Sequence, residues 1–173
     1  MDSAELVILE TELAAQAREI ERIYERIEER ARLRTASGTE SLSYQLHNLY
    51  SAFKELFEIV ARTFENHLAG NAGYHVELLR RMNVAVQGVR PAIVQDELLP
   101  FFDSLRSFRH FFRDAYAHEI DRRKVVPVLA DARRIRAEYP KMVDRFLASL
   151  GKADRAPLGS IKSSERPMRR TGE

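Results

Sequence analysis

The 173-residue sequence predicts an all-α fold, an up-and-down bundle of four to five helices. Two observations predict it. Apolar residues recur at three- and four-residue spacing over most of the chain, and no segment alternates with the period of two that marks a strand. Glycine is sparse, at seven residues, so breaks between periodic segments are few. Hydrophobic residues make up 45%, enough for one real core in a chain of single-domain length. No internal period repeats, which excludes a solenoid.

The first element is a long helix over 4–34. Leu6, Leu9, Leu13, Ile20, Ile23 and Ile27 recur at coiled-coil spacing, with Gln16 and Arg30 breaking the pattern. Its other faces are thick with Glu and Arg. So narrow a seam suits packing against one or two neighbours. The segment 35–39 ends it, and Ser41 or Ser43 can cap a second helix running to about His67. That helix carries the wide stripe of Leu46, Leu49, Tyr50, Phe53, Leu56, Phe57, Val60 and Phe64, as a central bundle helix should. After the loop 69–73 comes a short helix from Tyr74 to about Val84, then a connector over 87–91.

The chain is organised around the next helix, 98–121. Leu98, Phe101, Phe102, Leu105, Phe108, Phe112 and Ala115 form one stripe; Arg106, His110, Arg113, Asp114, Ala117 and Asp121 fall on another side. Phe111 points away from the stripe, and surplus apolar surface suggests an interface. Pro100 implies either a start near Leu99 or a kink. The last helix spans 125–150. Pro127 is tolerable in its first turn, whereas Pro140 should bend or split it. The remainder, 151–173, has no apolar period and reads as a disordered basic tail beside a single domain over 1–150.

The net charge is +2. The tail holds six basic against three acidic residues, a surplus of three, so the body carries one net negative charge. That excludes a body uniformly coated for nucleic acid; any such site must be a local cluster. The absence of cysteine excludes disulfide and thiolate chemistry. With no leader pattern and no run near the ~20 apolar residues of a membrane span, a soluble, cytoplasmic protein is expected.

The histidines are His47, His67, His75, His110 and His118, and none forms a metal-binding His-Glu-x-x-His pair. Asp114 and His118, four apart, could share a metal but read better as a surface ion pair. No phosphate-binding glycine loop and no serine-nucleophile elbow occur. No metal or cofactor is therefore expected. Arg113 and His118 remain. An imidazole can move protons near neutral pH, and a guanidinium can grip a phosphate and stabilise charge growing on it. Together they suffice to drive a ribose 2′-OH onto its own phosphate. On one ideal helix, however, they would stand ~140° and ~7.5 Å apart. They could converge through a local irregularity or across a dimer axis. Spacing alone favours the plainer view that both are solvated helix residues.

Tyr74-His75-Val76-Glu77-Leu78-Leu79, Arg90-Pro91 and Phe108-Arg109-His110-Phe111-Phe112-Arg113, in that order and followed by His118, resemble the HEPN superfamily and specifically its HepT-like ribonuclease toxins. The likeness covers roughly 41–121 and extends loosely through the last helix. It implies an all-α HEPN-like homodimer with a composite cleft and metal-independent RNA cleavage. Arg113 would bind phosphate and His118 act as acid and base, with Arg109, His110, Asp114 and Tyr116 supporting. It also implies a nucleotidyltransferase-type antitoxin, which in one branch modifies a Tyr two residues beyond the His. That position is Ile120 here, so Tyr116 is the alternative acceptor. Two other readings stay open: a catalytically degenerate HEPN dimer that acts as a scaffold, and an adaptor built on the N-terminal heptads.

Overall fold

The computed structural model describes residues 1–65, 74–114 and 120–153, apart from the side chains of Asp114, Lys152 and Ala153. Five helices occur in this order: α1 (Ser3–Ala31), α2 (Ala36–Phe64), α3 (Tyr74–Asn83), α4 (Leu99–Asp114) and α5 (Arg122–Ala153). Among the described residues there is no strand, only a bridge from Val86 to Arg90 around Gly88, whose φ of 77° suits glycine.

Helix α1 starts at a capping box. The Asp2 carboxylate accepts from the Glu5 N–H at 2.8 Å, and the Asp2 N–H donates to Glu5 at 2.9 Å. Its seam buries Leu9, Leu13, Ile20, Tyr24 and Ile27, and Gln16, which breaks the heptad, donates to the Ala52 carbonyl at 2.8 Å. Tyr24 was not expected in the core. Its hydroxyl donates to the Ala132 carbonyl at 2.8 Å, which removes the cost of burying it. The partners of this seam are α2 and α5, so an adaptor surface would have to lie elsewhere on α1.

Helix α2 begins at Ala36, five residues before the expected cap. Thr35 is the cap instead, accepting from the Gly38 N–H at 3.0 Å. Gly38 lets the first turn of α2 lie close against the connecting turn, since a Cβ there would sit 2.5 Å from the Leu33 Cβ. Leu42, Leu46, Leu49, Phe53, Leu56, Phe57 and Val60 are all buried, which places α2 at the centre. Phe53 and Phe57 meet Phe102 of α4 edge-on, at 5.0 and 5.3 Å between ring centres. Burying one such ring contributes roughly 1.5–3 kcal/mol. Contacts pair His47 with Phe112, Tyr50 with Arg109 and Phe53 with Phe102, so α2 and α4 run antiparallel.

Arg90 explains the Arg-Pro motif. Its side chain is 1% exposed and donates to Glu65 at 2.6 and 3.0 Å, and to the carbonyls of Arg81, Val84 and Pro91. It therefore ties the connector to the ends of α2 and α3. Pro100 falls in the first turn of α4, where no backbone N–H is needed, so the helix starts at Leu99 without a break.

Two expected boundaries differ. The aromatic helix was read through Asp121, but Ile120 and Asp121 lie outside any helix. Asp121 instead opens α5, accepting from the Arg123 N–H at 2.8 Å. Helix α5 in turn runs through Ala153, three residues into the expected tail, and Pro140 does not split it. Tyr139 and Met142 on either side are buried, and the Tyr139 hydroxyl donates to Glu21 at 2.6 Å. Packing carries the helix across the missing hydrogen bond. The rest of the tail, 154–173, lies outside the described residues. No helix among the described residues is long and apolar enough to cross a membrane.

Candidate functional site

Residues at spacings of three, four and seven share a helix face. On α2 this gives one polar edge: His47, Tyr50, Lys54 and Glu58. On α4 it gives Arg106, Arg109 and Arg113. The antiparallel packing sets these edges against each other, with Tyr74 and His75 at the start of α3 closing one side.

Arg109 is the centre of the cluster. Its Nη1 lies 3.3 Å from His75 Nε2, and its guanidinium carbon stands 6.0 Å from the Tyr50 ring centre. The His75 ring meets Tyr50 and Tyr74 edge-on at 5.9 and 5.7 Å, and the His47 ring lies 5.4 Å from Phe112. Below them Glu58 accepts from Lys54 at 2.8 Å and from the Tyr74 hydroxyl at 2.6 Å. Asp103 accepts from Arg106 at 2.7 Å.

Both imidazoles are pushed toward the neutral form. Burial is the main cause for each, and the nearby Arg109 charge adds to it; Arg113 contributes at His47, and Lys54 and Arg106 at His75. Burial also pushes the Tyr50 hydroxyl up to about 12, so it stays protonated near neutral pH. The cluster thus holds guanidinium donors beside two neutral imidazoles, each able to donate or accept.

The expected site residues fall on both sides of what the structure describes. Arg113 is exposed in the last turn of α4, Arg109 is half-buried in the cluster, and His110 is exposed beside it. Asp114 ends α4. Tyr116 and His118 lie outside the described residues, so their geometry relative to Arg113 is not part of the structure. Ile120 is half-buried and packs against the core, an apolar side chain with no hydroxyl to modify. Among the described residues no group of three or more His, Asp or Glu converges as metal ligands would.

Sequence reasoning did not connect His47 and His75 with Arg109. His75 stood inside a quoted motif, and His47 was weighed only as a metal ligand. The missed signal is the polar edge of α2, where His47, Lys54 and Glu58 recur at helical spacing beside a fully apolar stripe.

A family model described as HepT-like protein matches residues 41–150, the span that runs from Ser41 in α2 to Leu150 in α5 and contains every residue of this cluster. The chain belongs to the HepT-like family. That family is of HEPN type, in agreement with the all-α bundle. No curated protein and no solved structure matches the chain. Helix α1 precedes the matched span, yet its buried residues belong to the same core as those of α2, α4 and α5.

Proposed function

We propose that this HepT-like protein is a metal-independent endoribonuclease of a toxin–antitoxin type system, acting on RNA in the cytoplasm as a homodimer. The observation that carries the reading is the arginine edge of α4, Arg106, Arg109 and Arg113, which leads along one face to the segment bearing His118. Arg113 holds the scissile phosphate and offsets the charge that grows on its oxygens. His118 takes the proton from the ribose 2′-OH. The 2′-oxygen bonds to phosphorus, the bond to the 5′-oxygen breaks, and that leaving oxygen receives a proton from an imidazolium. The products are a 2′,3′-cyclic phosphate and a free 5′-hydroxyl.

A second copy of the chain completes the cleft. Tyr44, one helical turn before His47, and Phe111 on α4 are 53% and 39% exposed, and large apolar side chains beside a polar site suit a symmetric interface. The partner in control is a nucleotidyltransferase-type antitoxin. Since position 120 presents a packed isoleucine, modification there is ruled out as the means, and Tyr116 is the hydroxyl that remains in the motif.

The test is purified full-length protein, shown by mass spectrometry to be unmodified and free of partner, incubated with RNA in EDTA. Cleavage to cyclic-phosphate ends is expected. Intact RNA under those conditions would establish the degenerate scaffold in its place.

A further inference from the structure

Arg109, His47 and His75 come together from three helices, and the cleavage step uses none of them. A guanidinium has no acceptor, so in the 3.3 Å contact Arg109 Nη1 donates and His75 Nε2 accepts. A neutral His75 therefore carries its proton on Nδ1. That Nδ1 is buried without a hydrogen-bond partner, and so are Arg109 Nε and His47 Nδ1. Buried polar atoms are normally paired, so three unpaired nitrogens gathered in one cluster, of which Arg109 Nε and His75 Nδ1 are donors, call for an acceptor.

Among the described residues, Glu58 and Asp103 do not fill that role. Glu58 is taken up by Lys54 and Tyr74, and Asp103 by Arg106. A cation is disfavoured by the Arg109 charge, whereas an anion gains both a charge and N–H groups. Arg109 also stands four residues before Arg113 on the same face, ~6 Å along the helix axis. That rise is comparable to the step between successive phosphates of an extended strand.

We propose that His47, His75 and Arg109 form a phosphodiester subsite, which holds the RNA phosphate next to the one at Arg113 and so sets the register of the strand. The assignment rests on the ribonuclease reading for its substrate, but it is tested by binding and not by cleavage. The subsite reads backbone and not base, so it adds affinity and register without sequence preference.

The probe is a tetraribonucleotide with 2′-O-methyl sugars, which cannot be cut, added to the full chain. Addition should move the imidazole nitrogen resonances of His47 and His75, each assigned by its loss in His47→Gln and His75→Gln. Arg109→Gln should weaken binding about tenfold and lower the slope of log K against log salt by about 0.7, the value for one phosphate contact on a single strand. Arg109→Lys should restore the slope. Unmoved imidazole signals, or a slope unchanged in Arg109→Gln, would overturn the subsite even if wild-type protein cuts RNA. Shifted signals and a lowered slope in a protein that cuts no RNA would uphold it while the ribonuclease reading fails.

Discussion

The two flanks of the bundle treat their polar groups in opposite ways. Where α1 meets α5, polar side chains find each other. Glu21 accepts from Arg136 and Tyr139, Glu28 from Arg133, and the Tyr24 hydroxyl reaches a carbonyl. At the end of that flank Arg122 donates to the carbonyl of Ala31, the last residue of α1, at 2.9 Å and to that of Leu33 just beyond it at 2.7 Å. Where α2, α3 and α4 meet, half-buried imidazoles and a guanidinium keep unpaired atoms. Among the described residues the first flank leaves one such atom, Arg122 Nε, without a partner. The second gives up local satisfaction, and such places in a fold are where a ligand is expected to make up the difference.

This contrast predicts that substitutions on the second flank cost activity and those on the first cost stability. The largest effect is expected at the chemistry itself. His118→Ala should lower RNA turnover by ~10²–10⁴ with binding retained, because only the proton-transfer group is lost. Arg113→Ala should weaken binding and turnover together, and Arg113→Lys should rescue only in part since the planar fork is gone. Both should melt near the wild-type temperature. Single-turnover assays beside thermal melts decide it, and wild-type cleavage by either alanine variant would place the chemistry elsewhere.

Next comes Arg90, whose guanidinium is matched by Glu65 and three carbonyls. Arg90→Ala takes one of two cationic donors from Glu65, which keeps Arg81 at 3.0 Å, and removes the guanidinium from three carbonyls, at a cost of about 1–3 kcal/mol. Urea denaturation should show a lower midpoint with an unchanged slope. Cleavage per folded molecule should stay at wild-type level; a selective loss of turnover would tie the connector to the site. A smaller effect is expected on the α1–α5 flank. Tyr24→Phe keeps the ring in the core and removes one hydrogen bond to Ala132, worth ~1 kcal/mol, again without a change in cleavage.

The same contrast explains how much was legible in the sequence. The bundle was readable because apolar periodicity reports directly which face is buried: the stripe of α2 and the Leu98, Phe102, Leu105 and Phe108 stripe of α4 are in the core. Cap positions were less readable. Ser41, Ser43 and Thr35 all fit a helix start, and the choice fell to the close contact at Gly38 that a sequence does not display. Asp121 likewise suits the end of one helix pattern or the start of the next. The cluster was the least readable part. Arg109, His47 and His75 are separated by up to 62 positions and meet only because α2 and α4 run antiparallel, so no local spacing announces them.

Acidity should separate the two flanks by pH window, with the smallest effect of the set. His47 and His75 have folded pKa values below the ordinary 6.5, chiefly through burial and then through Arg109. The unfolded chain therefore binds more protons as pH falls below about 6.5, and the stability these neutral imidazoles carry is lost on the way down toward their folded values. Glu28, held below the ordinary 4.5 mainly by its hydrogen bond from Arg133, contributes stability above that pH and loses it as pH falls through its lowered value. Glu58, kept low by Lys54 and Tyr74 against the opposing effect of burial, titrates in that lower window too. Between pH 6.5 and the carboxylate range the α2–α3–α4 flank thus loses the share that its two imidazoles carry. A double His47→Gln, His75→Gln variant should flatten the denaturation midpoint across that interval and leave the fall below pH 4.5 in place. Glu28→Gln should do the reverse. An unchanged profile in the double variant would mean that the two imidazoles are as well solvated in the folded protein as in the unfolded chain, and the contrast between the flanks would then fall, since each of them holds one unpaired guanidinium nitrogen, Arg109 Nε and Arg122 Nε.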